Sequence, residues 1–325
     1  MEPGLPYEGG NILDNQKNIQ EERTPNRRGR GCLIWLGGIL AGLLVLLLAG
    51  TIYESLAETA DARTDPPPGQ MVDVGGYRLH IHCMGTGSPT VVIEIGWGDS
   101  STTWGGVQSE VAKTTRICTY DRAGLGWSEA SPQPRMAREF AIELHTLLTN
   151  AHENGPFVLV GHSMGGYTVL VYAHDYPGEV AGLVLMDAQK LAAAVNATPP
   201  QTPKPGGVSL PSLMARVGLV RLLAGPLGAS SVTPRSVQTV LDEAQGMAEG
   251  GVQAKSVTTL GALPLIVLTR GKDLTPDWTA SQAGFLKLSS NSQQFFAKKS
   301  DHLIQLDQPE AAVDAILKMV TQLRK

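Results

Sequence analysis

The sequence lacks the features that mark several large functional classes. Its net charge is −4 over 325 residues, so no basic excess favours binding to nucleic acid. It contains three cysteines and seven histidines, and none of them is spaced like the ligands of a zinc site. No glycine-rich loop ends in Lys-Ser or Lys-Thr, and no segment repeats. The hydrophobic fraction of 42% with 17% charged residues is typical of a globular protein.

Residues 32–53 form a long apolar run that contains no charged residue. As a helix this run spans about 33 Å, which is enough to cross the core of a bilayer. Four arginines precede it and mostly acidic residues follow it, so we expect residues 1–31 to be a disordered cytoplasmic tail and everything beyond residue 54 to lie outside. The alternative is a cleaved signal peptide, because Ala60-Asp61-Ala62 resembles a cleavage site.

The rest of the chain alternates between predicted strands and predicted helices. Residues 54–70, with Pro66-Pro67-Pro68, are predicted to be a short stiff linker, and residues 71–325 to be the globular domain. Strands interleaved with helices favour an α/β fold with a mostly parallel sheet covered on both faces. Seven strands are predicted, at Met71–Val74, Tyr77–Cys83, Thr90–Ile95, Thr115–Tyr120, Phe157–Val160, Gly182–Met186 and Leu265–Leu268.

The most informative motif is Gly161-His162-Ser163-Met164-Gly165. It follows the apolar strand Phe157–Val160 and precedes a helical pattern, so the serine is predicted to lie on a sharp strand–turn–helix connection. Only glycine tolerates the crowding on either side of such a turn, and the first N–H groups of the helix favour negative charge there. The three-residue pattern alone fits an ordinary turn equally well; the strand and the helix around it favour a nucleophile.

Several blocks, in order, make the chain resemble the α/β-hydrolase superfamily over nearly all of residues 71–325. The loop Gly96-Trp97-Gly98, with Trp104, looks like the loop after the third strand. Residues 120–128, Tyr-Asp-Arg-Ala-Gly-Leu-Gly-Trp-Ser, look like the D-R-x-G-x-G-x-S block. The serine motif looks like the nucleophile elbow, and Asp301-His302 looks like the C-terminal histidine block. The resemblance implies an α/β-hydrolase fold.

The resemblance also implies a catalytic triad. Ser163 would be the nucleophile and His302 the general base, since a free hydroxyl needs a base within hydrogen-bond reach. The acid that orients the histidine would be Asp187, after the sixth strand, or Asp273, after the seventh; both remain open, with Asp187 preferred. No metal or organic cofactor is implied.

Two backbone N–H groups, from Trp97 and Met164, would form the oxyanion hole. The usual His-Gly of the family is Ile95-Gly96 here, but a backbone donor does not require the histidine. The Trp97 side chain would line the pocket entrance or simply pack. Asp121 and Arg122 are interpreted as a structural pair that holds the loop. Glu94 lies inside an apolar strand, so it needs a hydrogen-bonding partner or a place near the site.

Residues 188–260 are implied to be a helical cap over the site, with helices at Leu213–Leu223 and Ser236–Met247. The apolar residues of the first helix fit either a hydrophobic substrate or cap packing. Cys83 and Cys118 would lie on neighbouring antiparallel strands, and outside the cytoplasm they could form a disulfide. Cys32 would be a free thiol or an acylation site.

These expectations combine into a membrane-anchored serine hydrolase held in the bilayer by residues 32–53. The expected reaction is hydrolysis of a hydrophobic small-molecule carboxylic ester through an acyl-enzyme on Ser163. Acyl transfer, amide cleavage and carbon–carbon bond hydrolysis use the same triad and stay open. A non-catalytic binding protein on this fold is the alternative of a different class.

Overall fold

The structure is a computed structural model that describes residues 27–191, 209–224 and 232–325. Residues 1–26 of the tail predicted at 1–31, and two parts of the predicted cap, 192–208 and 225–231, lie outside the described residues. Residues 27–31, predicted to be disordered, are helical instead. The chain divides into two compact units, Met1–Leu48 and Ala49–Lys325.

The first element is a long helix, α1, which runs from Arg27 to Thr64. Its segment Ile34–Thr64 is long and apolar enough to cross a membrane, with a most apolar window of mean hydropathy 2.2. A signal sequence meets the same criterion. The helix therefore supports the predicted apolar span at residues 32–53 and extends it at both ends.

A single sheet of eight strands forms the centre of the larger unit. The order across the sheet is β1-β2-β4-β3-β5-β6-β7-β8. β1 and β2 form an antiparallel hairpin, β2 pairs antiparallel with β4, and all the other neighbours are parallel. In chain order the strands are β1 (Gln70–Asp73), β2 (Arg78–Met84), β3 (Thr90–Glu94), β4 (Ile117–Tyr120), β5 (Phe157–His162), β6 (Val180–Met186), β7 (Leu265–Arg270) and β8 (Ser292–Ala297).

The sheet buries both faces, as the continuous apolar strands predict. In β5, Val158 and Val160 point to one hydrophobic cluster, whereas Phe157 and Leu159 point to the other, because side chains alternate along a strand. The first cluster includes residues of α2 (Gly105–Val111), α9 (Ile304–Asp307) and α10 (Pro309–Leu323). The second includes residues of α3 (Ala137–Asn150), α4 (Gly165–Asp175) and α8 (Pro276–Phe285). The α/β-hydrolase sheet and its helical layers are therefore as predicted.

The eighth strand is the one that the sequence did not predict. β8 has the sequence Ser-Gln-Gln-Phe-Phe-Ala, and most of its residues are half-buried. It lies at the edge of the sheet beside β7. An edge strand needs less apolar surface than a central strand does. The first half of β8 is polar, and the apolar pattern therefore did not predict a strand there.

Part of the predicted linker is helical. Past residue 53, α1 continues to Thr64, and Pro66-Pro67-Pro68 follow its end. The helix continues because Arg221, with a side chain only 8% exposed, lies 3.0 Å from Glu54 and 2.6 Å from Asp61. These two carboxylates lie two turns apart on α1, so the ion pairs require helix up to residue 61.

The described part of the cap consists of three helices, α5 (Leu210–Arg216), α6 (Leu219–Ala224) and α7 (Pro234–Lys255). The single helix predicted over Leu213–Leu223 is wrong, because the chain breaks at Gly218, which has a φ of 71°. α7 is longer than the predicted Ser236–Met247. Its start is fixed by Thr233, whose side chain accepts a hydrogen bond from the Ser236 N–H.

Cys83 and Cys118 form a disulfide between β2 and β4. The two residues lie directly opposite each other in the antiparallel register. The bond closes a sequence separation of 35 residues, which corresponds to about 4 kcal/mol of stabilisation. Cys32 is exposed and free.

The disulfide gives a direct chemical prediction. Alkylation of the unfolded, unreduced protein should modify Cys32 only, whereas alkylation after reduction should also modify Cys83 and Cys118. Intact mass spectrometry counts the labels, and a Cys83→Ser variant serves as the control because it should expose Cys118 without reductant. Labelling of all cysteines in the unreduced wild type would contradict the disulfide.

Candidate active site

Ser163 lies at the turn between β5 and α4. Its φ is 51°, a left-handed conformation that costs a non-glycine residue about 1–3 kcal/mol. A backbone hydrogen bond holds the turn against the end of β6, because the Ser163 N–H donates to the Met186 carbonyl over 3.2 Å. A Cβ on Gly161 would lie 2.6 Å from Val169, and one on Gly165 would lie 2.4 Å from the Glu94 carbonyl oxygen. Neither position has room for a side chain, which explains the two glycines of the motif.

A chain of hydrogen bonds links Ser163 to His302 and Asp187. His302 Nε2 lies 2.9 Å from Ser163 Oγ, and His302 Nδ1 lies 2.6 Å from Asp187 Oδ2. An ionised carboxylate can only accept, so Nδ1–H donates to Asp187 and Nε2 is left to accept the serine proton. This arrangement of hydroxyl, imidazole and carboxylate can generate an oxygen nucleophile.

Asp187 is a buried carboxylate with several donors around it. It follows β6 directly and is fully buried. Its Oδ1 accepts from the Trp278 indole N–H over 2.8 Å, and its Oδ2 lies 3.2 Å from the Arg270 guanidinium. A buried charge without partners would be costly, and here the donors hold the carboxylate in place facing the imidazole.

Asp273, the alternative acid, occupies a different environment. It is exposed, and its backbone carbonyl accepts from Arg270 over 3.3 Å. Among the described residues, the carboxylate that contacts the His302 imidazole is that of Asp187, whereas Asp301 accepts from the His302 backbone N–H. The structure thus brings Ser163, His302 and Asp187 together and leaves Asp273 outside this group.

The backbone N–H groups of Trp97 and Met164 have no hydrogen-bond acceptor among the described residues. The loop that carries Trp97 passes close to the serine, because a Cβ on Gly96 would lie 3.4 Å from Ser163 Cβ. Met164 immediately precedes α4, whose N-terminus favours negative charge. Two free donors beside a hydroxyl could stabilise an oxyanion. The Trp97 side chain is 47% exposed and its indole N–H donates to the Val240 carbonyl over 2.9 Å, so it both packs on α7 and faces solvent.

A fully buried charge network lies behind this loop. Arg122 contacts Glu94 at 3.0 Å and Glu243 of α7 at 2.7 Å, and all three side chains are fully buried. Glu94 also accepts from the Tyr120 hydroxyl. Burial raises the pKa of Glu94 to about 7, although Arg122 and Tyr120 oppose the rise. Glu94 therefore has the partners that its place in an apolar strand requires.

Asp121 and Arg122 both hold the loop, in agreement with the structural role predicted for them, but they do so through separate partners instead of pairing with each other. Asp121 accepts from the Ser101 backbone N–H over 2.7 Å and lies 2.8 Å from His80 Nδ1. The reason is geometric. Successive residues past a strand point in different directions, so Asp121 faces β2 while Arg122 faces β3 and the cap.

His162 lies beside His302, a placement that the sequence did not predict. Its Nε2–H donates to the His302 carbonyl over 2.9 Å, and the two rings lie 4.9 Å apart. Its Nδ1 is buried and has no partner among the described residues. Burial, followed by the neighbouring His302, lowers the pKa of His162 to about 4. His162 is therefore neutral at physiological pH and supports the backbone of the histidine loop.

One group of residues in the described part of the chain has the spacing of metal ligands, namely Cys83, Cys118 and Glu153. The two sulfurs are joined in the disulfide, and Glu153 pairs with Arg116 at 2.6 Å. The group therefore has no thiolate to offer a metal ion.

Comparison with known proteins agrees with this geometry. The family model for the alpha/beta hydrolase fold matches residues 89–217. Over these residues the chain is similar to that family, and its sheet and helical layers have the α/β-hydrolase fold. The uncharacterized protein YqjL of Bacillus subtilis is 28% identical over 242 residues, which cover 73% of this chain and 85% of YqjL. Several other curated relatives are matched over less than half of their own length.

Two solved α/β-hydrolase structures illustrate the shared fold. The epoxide hydrolase CorEH superimposes with a TM-score of 0.61 at 21% identity, covering 78% of this chain and 99% of CorEH. A thermophilic esterase from Thermogutta terrifontis has a TM-score of 0.60 at 21% identity, covering 79% of this chain and 99% of the esterase. Both of these structural neighbours are hydrolytic enzymes, and at 21% identity their likeness to this chain concerns the fold alone.

Sequence reasoning missed four side chains around the site, at His162, Arg270, Trp278 and Glu243. Arg270 offered a weak signal, because a charged residue ending an apolar strand lies at the carboxyl edge of a parallel sheet, where sites form. His162 is part of the elbow motif, but its direction depends on the strained turn. Trp278 and Glu243 lie on helices whose packing no local pattern revealed.

The low pKa of His162 predicts acid sensitivity. The unfolded chain binds a proton to His162 near pH 6.5 and the folded chain only near pH 4, so this residue's contribution to stability is present above pH 6.5 and lost as the pH falls toward 4. We expect the loss to be about 2 kcal/mol at pH 4.5. Urea unfolding at pH 7 and pH 4.5 measures it.

A His162→Gln variant is the control for this measurement, because it keeps a donor but cannot titrate. The destabilisation between pH 7 and pH 4.5 should be about 2 kcal/mol smaller in this variant than in the wild type. Equal destabilisation of both proteins would show that His162 does not titrate as described.

Proposed function

We propose that this protein is a serine hydrolase that cleaves carboxylic esters through an acyl-enzyme on Ser163. The observation that supports this most directly is the continuous hydrogen-bonded chain from Ser163 through His302 to Asp187. Each member contacts the next within 2.9 Å, on a strained turn beside two unpaired N–H groups. A structural serine would require neither the strain nor the free donors.

The mechanism follows from this geometry. Ser163 Oγ attacks the ester carbonyl while its proton passes to His302 Nε2, and Asp187 stabilises the resulting imidazolium. The negative oxygen of the tetrahedral intermediate accepts from the N–H groups of Trp97 and Met164. Collapse breaks the bond to the alcohol, which leaves with the proton from His302. A water molecule then repeats the sequence on the acyl-enzyme and releases the acid.

The substrate class proposed is a hydrophobic ester. Trp97, next to the oxyanion loop glycine, is 47% exposed, and Leu303, next to the base, is 45% exposed. Leu306 of α9 and Leu274 on the loop after β7 add exposed apolar surface. Apolar side chains beside a polar catalytic group are typical of sites that bind an acyl chain. The same triad can also cleave amides or carbon–carbon bonds, and these reactions would be tested next if the protein did not hydrolyse esters.

We place the enzyme at a membrane, with α1 as the anchor and the catalytic domain outside the cytoplasm. The length and hydropathy of Ile34–Thr64 support the anchor. The disulfide between Cys83 and Cys118 supports an oxidising compartment, because such bonds are rare in the cytosol. To test this placement, the thiols are trapped by adding acid directly to cells and are then alkylated without reduction. Labelling of Cys32 alone would support an oxidising compartment, and labelling of all three cysteines would contradict it.

The first prediction from the proposed mechanism concerns Ser163. A fluorophosphonate probe should label the wild-type protein covalently and fail to label Ser163→Ala. Across p-nitrophenyl acetate, butyrate and octanoate, kcat/KM should rise with chain length. Equal labelling of both proteins would overturn the serine-hydrolase proposal, whereas labelling with no preference for longer chains would overturn only the hydrophobic substrate.

The second prediction separates the two candidate acids. Asp187→Asn keeps the shape of the side chain but disfavours the tautomer of His302 that can accept the serine proton, so kcat should fall by about 10⁴. Asp273→Asn, a matched change on the neighbouring loop, should change kcat by less than about threefold because Asp273 is exposed. Steady-state hydrolysis of one ester measures both, and a larger loss in Asp273→Asn would reverse the assignment.

A further inference from the structure

The loop that carries Trp97 is held from behind by Arg122. The guanidinium donates to the Ile95 carbonyl over 2.7 Å and to the Gly96 carbonyl over 2.6 Å. A peptide unit is planar and trans, so its C=O and N–H point in opposite directions. The bond from Arg122 to the Gly96 carbonyl therefore turns the Trp97 N–H away from Arg122.

Arg122 is in turn fixed by two carboxylates. Its Nη1 lies 3.0 Å from Glu94 of β3, and its Nε and Nη2 lie 2.7 and 3.1 Å from the two oxygens of Glu243 of α7. A bidentate carboxylate fixes the plane of a guanidinium as well as its position. All three side chains are fully buried, so no water can replace a lost partner without a cavity opening.

The cap helix also touches the loop directly. Glu243 Oε2 accepts from the Gly98 backbone N–H over 3.1 Å, and the Val240 carbonyl accepts from the Trp97 indole over 2.9 Å. A Cβ on Gly98 would lie 3.1 Å from Val240. Residues 240 and 243 are one helical turn apart, so one face of α7 lies against the loop from Trp97 to Gly98.

We propose that α7 of the cap sets the oxyanion hole, and that Glu243 and Arg122 are positioning residues for the Trp97 N–H. When the cap helix is seated, Glu243 orients Arg122, and Arg122 orients the peptide that carries the donor. When the helix lifts, Arg122 loses its bidentate partner and Gly98 loses its acceptor, so the donor loses its fixed direction. The cap thus couples its closure over a substrate to transition-state stabilisation. This inference rests on the proposed serine-hydrolase function.

The test uses the full-length protein and compares Glu243→Gln with Glu249→Gln. Glu249 lies on the same helix and is half-buried, so it controls for loss of a carboxylate from α7. Loss of a whole oxyanion donor costs about 10²–10³ in rate, and we expect a misdirected donor to cost about tenfold or more in kcat. KM should change by less than about twofold, and Glu249→Gln should match the wild type.

A second readout separates positioning from general destabilisation. An aryl trifluoromethyl ketone forms a hemiketal with Ser163 whose oxyanion occupies the same hole. Its Ki should rise in Glu243→Gln by the same factor by which kcat/KM falls, because both depend on the donor. Trp97→Phe, which removes the indole bond to Val240 together with part of the ring, should raise Ki and lower kcat less than Glu243→Gln does.

The outcomes distinguish this inference from the proposed function. Fluorophosphonate labelling of the wild type reports the function. If it occurs and Glu243→Gln retains wild-type kcat and Ki, or if KM rises while kcat is unchanged, then the coupling is wrong although the enzyme assignment stands. If the wild type is not labelled, the proposed function fails first. Thermal unfolding of Glu243→Gln above the assay temperature ensures that the rates report a folded protein.

Discussion

The geometry of the site depends on the strained backbone at Ser163. A φ of 51° at a residue with a side chain is unfavourable, and the fold tolerates it because the turn is locked on both sides. Gly165 lies against the carbonyls of Glu94 and Ile95, so β3 and the start of α4 are in backbone contact. This contact puts the end of β3, with the Trp97 loop, beside the serine. The glycines therefore determine where the donors lie as well as where the hydroxyl lies.

The other recurring feature is buried charge that is paired with a group of opposite charge. Arg122 with Glu94 and Glu243, and Asp187 with Arg270, are examples at the site itself. Burying such groups costs several kcal/mol in desolvation, so they are poor devices for stability alone. They are sensitive to geometry, however, because a pair that moves apart in a dry environment loses its attraction without solvent compensation. They lie behind the Trp97 loop and around Asp187, where they fix the direction of the backbone and of the carboxylate.

The sequence predicted the fold and the elements that carry the site because these depend on local patterns. Each of these patterns predicts the backbone conformation of the residues that form it, as the apolar strands, the glycine-flanked serine and the hairpin glycines do. The order of the blocks then placed His302 and Asp187 at the same edge of the sheet. Contacts between distant segments were not predictable. Glu243 reaches Arg122 across 121 positions, and the polar strand β8 is recognisable only once β7 lies beside it. The prediction of a linker from residue 54 was wrong for the same reason. The helix α1 continues to Thr64, where Glu54 and Asp61 pair with the distant Arg221.

The cap is fastened at two places by the same kind of interaction. At α6, Arg221 pairs with Glu54 and Asp61, and at α7, Glu243 pairs with Arg122. The described cap helices also place apolar residues such as Leu213 and Leu222 at the surface, so apolar burial alone does not fix their position. Ion pairs with well-defined geometry hold a segment in one orientation, whereas apolar contacts permit sliding. The cap helices are thus held both at the C-terminal half of α1 and behind the loop that carries Trp97, and a movement of α7 would break the pairing of Glu243 with Arg122.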